Sequence, residues 1–382
     1  MTDTTQKNNN DNYPMLLPNK KSFILLALLS FITFSQLSHA LQTPLQWQFK
    51  QLPAKVSLRG SAIKEHSLWV TGANNTVFVS QDGGISWQDK SVKSSIITDF
   101  RDIALFDSQT AIIMGAGSGE LSVLYKTSDG GNSWQPMYQT PHKQGFFDSI
   151  AFWDEKQGLL MGDPIDGYFV IKKTTDGGKT WQRIKHSNIP ALQEKEVAFA
   201  ASGNTLIIGK QGKAWFATGG FSAWVYHSND YGETWQRRSV PIHKASQTSG
   251  VYALALNSNN EVFALGGDYL ARSANYSNMA SIKNNSWQSV NNDQRGLRTA
   301  MACQQAICIS TGKLSTDVSY DHGNSWQALS VPSNSQNSIK PIKSPLSKSL
   351  NNGFYTIASD NNTFIAAGAK GNIAVISLPV KE

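Results

Sequence analysis

Little in this chain belongs to the vocabulary of catalysis or metal binding. Its 382 residues include two cysteines, Cys303 and Cys308, and seven histidines scattered without the paired spacing of a zinc site. No G-x-S-x-G elbow occurs and neither cysteine has a histidine placed beside it in sequence, so acyl transfer through a serine or cysteine nucleophile has no footing. There is no arginine-rich run, which disfavours a nucleic-acid groove. GAGSG at residues 115 to 119 lies between two strand-like segments rather than opening a helix, which excludes a dinucleotide loop. No convincing helix is present: the pattern is one of short alternating strands and turn residues, so the chain reads as all-β, with no metal and no cofactor expected.

What is abundant is tryptophan at regular intervals. Trp47, Trp87, Trp134, Trp181, Trp235, Trp287 and Trp326 stand 40, 47, 47, 54, 52 and 39 residues apart, the length of a four-stranded propeller blade. Five of them close one phrase: SQDGGISW, TSDGGNSW, TTDGGKTW, SNDYGETW and SYDHGNSW, carrying Asp82, Asp129, Asp176, Asp230 and Asp321. Trp287 keeps only the end of it, NNSW. An aspartate after a hydroxyl residue folds back onto backbone amides, glycine supplies positive φ, and the tryptophan starts the next strand. These aspartates therefore read as turn formers, not catalytic acids. The prediction is a single seven-bladed β-propeller. Its last blade takes three strands from residues 354–378 and a fourth from LQWQFK around Trp47, joining the two ends so that no sheet edge is left open.

The N-terminal segment reads as export. Lys20 and Lys21 precede an apolar run from Phe23 to Phe34, and Ser38, His39 and Ala40 offer a cleavage site, so residues 1–40 are expected to be a signal peptide and 41–382 the exported propeller, periplasmic or secreted. The run is shorter than the ~20 residues that span a bilayer, and translation starting at Met15 is the alternative to Met1. After cleavage 31 Lys and Arg face 25 Asp and Glu, a net charge of +6 spread along the chain. An acidic protein partner suits that balance better than nucleic acid. Residues 329–352 form a polar, basic connector. In MACQQAICIS the two cysteines face each other across a predicted hairpin. A disulfide is expected there, with buried free thiols as the alternative.

Superposing blades on the glycine taken to end each second strand (Gly115, Gly162, Gly209, Gly266, Gly368) aligns Arg59, Arg101, Asp148, Lys195, Tyr252, Arg298 and Phe354 just before the innermost strands. Such positions ring one mouth of the channel, and three arginines there point to capture of a carboxylate. Pairing of each arginine with an aspartate such as Asp99 or Asp102 is the structural alternative. GDP at Asp163, WFATGG at Trp215 and GGDY at Asp268 are further departures from the blade pattern. The two aspartates read as turn formers first and ligand contacts second. Trp215, with Trp224, is either core or a platform for a sugar or a peptide aromatic.

The turn phrase resembles the Asp-box, or bacterial neuraminidase repeat. VSLRGSAI, DFRDIALFD and YKTSDGGNSW resemble the photosystem II stability and assembly factor family of Asp-box propellers. AFWD, GDP, FATGG and GGDY are similar to a related group of exported bacterial propellers, uncharacterised or loosely labelled oxidoreductase. The resemblance implies a noncatalytic propeller that holds a protein client, such as a membrane-protein assembly intermediate, through an arginine patch matched by Arg59, Arg101 and Arg298; a monomer is expected. Sialidases also combine Asp-boxes with three arginines and a Tyr–Glu nucleophile, so a glycoside hydrolase or glycan-binding propeller is the alternative. Against it, Gly60 and Ser61 follow Arg59 where sialidases have Ile and Pro, and Glu194, Glu196 and Glu261 show no tyrosine partner by spacing.

Overall fold

The computed structural model describes residues 45–292, 295–329 and 353–378. The expected signal peptide, and all but the first residue of the connector, lie outside them. Seven antiparallel sheets of four strands form a seven-bladed β-propeller. The first blade runs Leu58–Lys64, Ser67–Gly72, Val77–Ser80 and Gln88–Asp89 from channel to rim. The pattern repeats to the sixth blade, Ala300–Gln304, Ile307–Thr311, Thr316–Ser319 and Gln327–Ala328. The seventh is Thr356–Asp360, Thr363–Ala367 and Asn372–Ser377, completed at the rim by Gln46–Gln51. That last pairing, from Gln46↔Ser377 to Gln51↔Asn372, closes the ring as the position of Trp47 predicts.

The core lies at the seams between blades. Trp69 and Val79 of the first blade pack with Phe100 and Ile113 of the second, and Leu159 and Phe169 of the third with Phe216 and Tyr226 of the fourth. Second strands are buried on both faces, as in Ala111–Ala116, whose six residues are all covered. Fourth strands are exposed and short, two residues in the first, third and sixth blades.

The five D-x-G turns share one hydrogen-bond scheme. Asp82 accepts from the Ser86 amide and hydroxyl and from Ser80 Oγ, while Ser80 Oγ accepts from the Gly84 amide. Asp129, Asp176, Asp230 and Asp321 repeat these bonds with their own serines and threonines. Those donors hold the Asp82, Asp129 and Asp176 carboxyls down to about 2. The indole N–H of Trp87, Trp181, Trp235 and Trp326 donates to the second glycine of its own turn; Trp134 reaches across the seam to the Lys90 carbonyl instead. The first glycine position tolerates Tyr231 and His322 at positive φ, but the second is glycine in all five turns, because it packs against the preceding blade. A Cβ on Gly323 would sit 2.6 Å from Phe263, and one on Gly232 2.7 Å from Leu159. Cys303 and Cys308 are opposite residues of a hairpin, with Cα atoms 4.1 Å apart, and form the disulfide.

A matched pair of substitutions separates backbone strain from seam packing. Gly83→Ala, with φ +70 and nothing within 4 Å of the new Cβ, is expected to cost about 1 kcal/mol for the left-handed backbone alone. Gly323→Ala adds overpacking against Phe263 and should cost about 3 kcal/mol. Urea unfolding of the two variants checks the difference.

Candidate functional site

In an antiparallel blade, the turns between first and second strands and between third and fourth strands share one end; the connections between blades and the second-to-third turns share the other. The D-x-G aspartates therefore lie at the opposite end from the channel mouth and take no part in it.

At that mouth is a cavity of about 370 Å³. Four of the aligned residues, Arg59, Arg101, Asp148 and Tyr252, line it, and the backbone explains why. Each sits at a register shift of its innermost strand, between Leu58 and Gly60, Phe100 and Asp102, Phe147 and Ser149, and Val251 and Ala253. A β-bulge leaves one residue unpaired and re-aims its side chain, here into the channel. In the sixth and seventh blades the pairing runs unshifted from Ala300↔Thr311 and Thr356↔Ala367. The residues facing the cavity are accordingly Thr299 and Tyr355, one place beyond Arg298 and Phe354. A slip of one residue reverses the face.

Arg298 is thus not part of the mouth. It is fully buried, donates from Nε to Asp317 Oδ2 at 2.9 Å and from Nη1 to the Arg295 carbonyl, and shares Asp317 with Arg295. Lys195 is also removed from the site: it stands on the surface at φ +61, beside Glu194 and over the Phe221 ring. Its misplacement follows from Gly209, which lies in the turn after Leu206–Ile208; the glycine ending that blade's second strand is Gly219, after Ala214–Thr218. Residues 198–204 are an insertion before the shortened innermost strand. They occupy the channel: Ser202 donates to the Thr299 carbonyl, the Asn204 carbonyl accepts from Leu254, and Phe199 stacks on Tyr252 with centroids 4.1 Å apart. The sequence signal for this plug was the 54-residue spacing from Trp181 to Trp235.

Asp99 holds the two remaining arginines together. Its Oδ2 accepts from Arg101 Nε at 2.9 Å and pairs with Arg59 Nε at 3.3 Å, as the structural alternative anticipated. The plug carbonyls of Ala201 and Ala200 then accept from Arg59 Nη1 and Arg101 Nη1 at 3.0 and 2.8 Å. Both Nη2 groups are left without a hydrogen-bond partner among the described residues, and both side chains remain about one quarter exposed (23% and 25%). Lys313 joins them, with its ammonium 5.3 Å from the Tyr355 ring that Arg59 also covers. Burial and the nearby Arg272 and Arg59 lower the Lys313 pKa. Lys313 follows Gly312 as Asp163 follows Gly162, a correspondence in the sequence that marks both as mouth residues.

Asp148 and Asp163 form the acidic side of the cavity. Burial pushes Asp163 up to about 6, and burial together with the Asp163 charge raises Asp148 well above an ordinary carboxyl. Asp148 Oδ2 is buried without a partner among the described residues. Phe146, Tyr269 and Leu297 add apolar wall. Asp268 is outside the cavity. It accepts from Ser246, Thr248 and the Leu270 amide, which makes it a turn residue with a lowered pKa. Trp215 lies in the wall of a different cleft, and Trp224 stacks under Arg237. Glu196 does have a tyrosine partner, Tyr226 Oη at 3.1 Å, but this pair is buried within the fourth blade with Thr218 and Arg237, away from the cavity.

The DUF6242 beta propeller domain matches residues 33–292. The chain belongs to that family. A search of curated protein sequences gives no match. Among solved structures, YCF48 bound to D1 peptide superposes with a TM-score of 0.63 at 16% identity, over 88% of this chain and 99% of that one. YCF48 from Cyanidioschyzon merolae gives 0.59 at 15%, over 87% and 98%. The GH74 enzyme of Niastella koreensis gives 0.57 at 13%, over 85% of this chain and 53% of that one. At these identities the likeness is one of fold, shared by a propeller solved with a peptide and by a glycoside hydrolase.

The two kinds of arginine separate by stability. Arg298→Ala leaves Asp317 buried with half of its ion pairing and is expected to cost about 3–5 kcal/mol, whereas Arg101→Ala, at a quarter-exposed site, should cost about 1 kcal/mol or less. Chemical denaturation of both variants distinguishes them.

Proposed function

We propose that this protein is a noncatalytic binding propeller that captures an acidic segment of a protein client in the cavity at its channel mouth. The observation that carries this reading is the convergence of Arg59 and Arg101, each aimed by a bulge, each with a free Nη2, beside Lys313. Guanidinium groups in that arrangement suit a carboxylate, and the aromatic walls suit the apolar body of a peptide. A peptide as occupant is in keeping with the similar propeller solved with the D1 peptide. The D-x-G turns fit the Asp-box pattern, and the N-terminal segment fits export to the periplasm or cell exterior, where such a client would be met. Asp163 and Asp148 tune the site. When both hold protons the cavity is cationic; when Asp163 ionises, its charge opposes that of the ligand.

A second reading rests on the same two carboxyl groups. Two acids in one cavity are what glycoside hydrolysis uses, one ionised and one protonated, and the Niastella enzyme has a similar fold. Hydrolysis of a fluorogenic sialoside or of xyloglucan oligosaccharides, abolished by Asp163→Asn, would favour it over the binding role.

Crosslinked capture from the native host, read by mass spectrometry, tests the first reading. The Arg59→Ala, Arg101→Ala double variant is expected to lose the client recovered by the unaltered protein, with at least a tenfold fall in affinity for a short peptide bearing two acidic residues. Equal capture would overturn it. The pH dependence has a definite sign. Asp163 takes up a proton as pH falls through about 6, removing a negative charge while the peptide carboxylates stay ionised. Affinity should therefore rise severalfold from pH 8 to pH 5, measured by calorimetric titration.

A further inference from the structure

Of the six blades whose third and fourth strands follow one another in the chain, the fifth is the one that lacks a D-x-G turn between them, Met279–Lys283 and Ser286–Ser289. Its hairpin closes through Asn284 and Asn285, both at positive φ (51° and 60°), a two-residue turn of the primed kind. In the turned blades the second glycine lies against the blade before: Gly84 on Val375, Gly178 on Ile112, Gly232 on Leu159, Gly323 on Phe263. Among the described residues the fifth blade has no such glycine, and its hairpin meets the fourth blade through Asn285 instead. At that seam a cleft of about 390 Å³ is open.

The cleft walls are unlike those of the channel mouth. Trp215 of the fourth blade and Trp287 of the fifth are half-buried, each packed on the seam cluster and each also lining the cleft. Neither indole N–H has a hydrogen-bond partner among the described residues, in contrast to the turn tryptophans, whose N–H groups are all satisfied. The side-chain amides of Asn229 and Asn260, which also line it, are likewise unpartnered among the described residues. Glu261 accepts from Asn257 on Oε2 only, at 2.6 Å. Arg238 donates to the carbonyl and side-chain oxygens of Asn285, and Lys213 and His227 complete the polar lining. Two aromatic surfaces with free amide donors and acceptors around them form a site for a polyhydroxylated molecule: aromatic rings take the apolar C–H face of a sugar, and the amides and charged side chains take its hydroxyls.

We propose that the cleft between the fourth and fifth blades is a carbohydrate-binding site, in which Trp215 and Trp287 carry sugar rings and Asn229, Asn260 and Glu261 hold their hydroxyls. It is built from strands and turns at the end of the blades away from Arg59 and Arg101, so it is independent of the channel mouth and stands whether or not a peptide binds there.

The test is calorimetric titration of the full chain with hexasaccharides of glucose, N-acetylglucosamine, xylose and mannose, each β-1,4-linked. At least one is expected to bind. Trp287→Ala should weaken that binding at least tenfold, Trp287→Tyr, which keeps a ring and a polar edge, should recover most of it, and Arg101→Ala should leave it unchanged. Asn229→Lys, at an exposed position where the fold is not at stake, places a long side chain into the cleft and should also lower affinity at least tenfold. Binding of none of the four sugars overturns the proposal, as does binding that survives both Trp287→Ala and Asn229→Lys or is lost in Arg101→Ala.

Discussion

Ring closure is the constraint from which the remainder follows. A propeller is a circle of sheets whose apolar surface is buried only against neighbours, so each blade depends on the two beside it and the last must meet the first. Here that junction is six antiparallel residue pairs between Gln46–Gln51 and Asn372–Ser377. The buried clusters lie across seams rather than within blades, and the cluster uniting Leu58 and Phe78 with Ile365 and Val375 exists only when the ring is shut. Closure also fixes the channel width, and with it the distance at which side chains from different blades meet.

Within that circle the blades differ where function is to be sought. Bulges in the first, second, third and fifth blades turn one residue each into the channel, and the insertion at 198–204 fills the space that seven identical blades would leave open. The plug does more than occlude: its carbonyls take one nitrogen from each arginine and leave the other free, while Asp99 sets the two guanidinium groups side by side. A cationic site is thereby held rigid without being neutralised. D-x-G turns stabilise the far end of five blades, the seventh takes its fourth strand from Gln46–Gln51, and in the fifth the absence of that turn leaves open the seam lined by Trp215 and Trp287. Departures from the repeat, rather than the repeat, supply the two candidate sites.

Electrostatics divide the carboxyl groups in the same way. Turn aspartates such as Asp82, surrounded by amide and hydroxyl donors at the surface, are held ionised. Asp148 and Asp163, in the cavity with few donors, are held toward the neutral form. The same residue type serves as a structural anion at one end of the blades and as a titrating group at the other, and burial makes the difference.

The number of blades, the four-stranded pattern, the closing strand around Trp47 and the pairing of Cys303 with Cys308 were all legible in the residue order, because each arises from local chemistry: a turn aspartate, a glycine at positive φ, a tryptophan and an alternating strand repeated at a regular interval, and two cysteines placed across one hairpin. The channel-facing column was legible for Arg59, Arg101, Asp148 and Tyr252 and misread for Lys195 and Arg298. The cause is physical. Whether a residue at the head of an innermost strand faces the channel or the core depends on a single bulge, and a bulge is decided by how that strand pairs with its neighbour, which residue order alone does not record. Lys313, Tyr355 and the plug come to the mouth from three blades by closure of the ring. Sequence determined the repeat; which of its exceptions meet in space was decided by the tertiary structure, since side chains far apart in the chain share a site only when strand register and ring geometry bring them there.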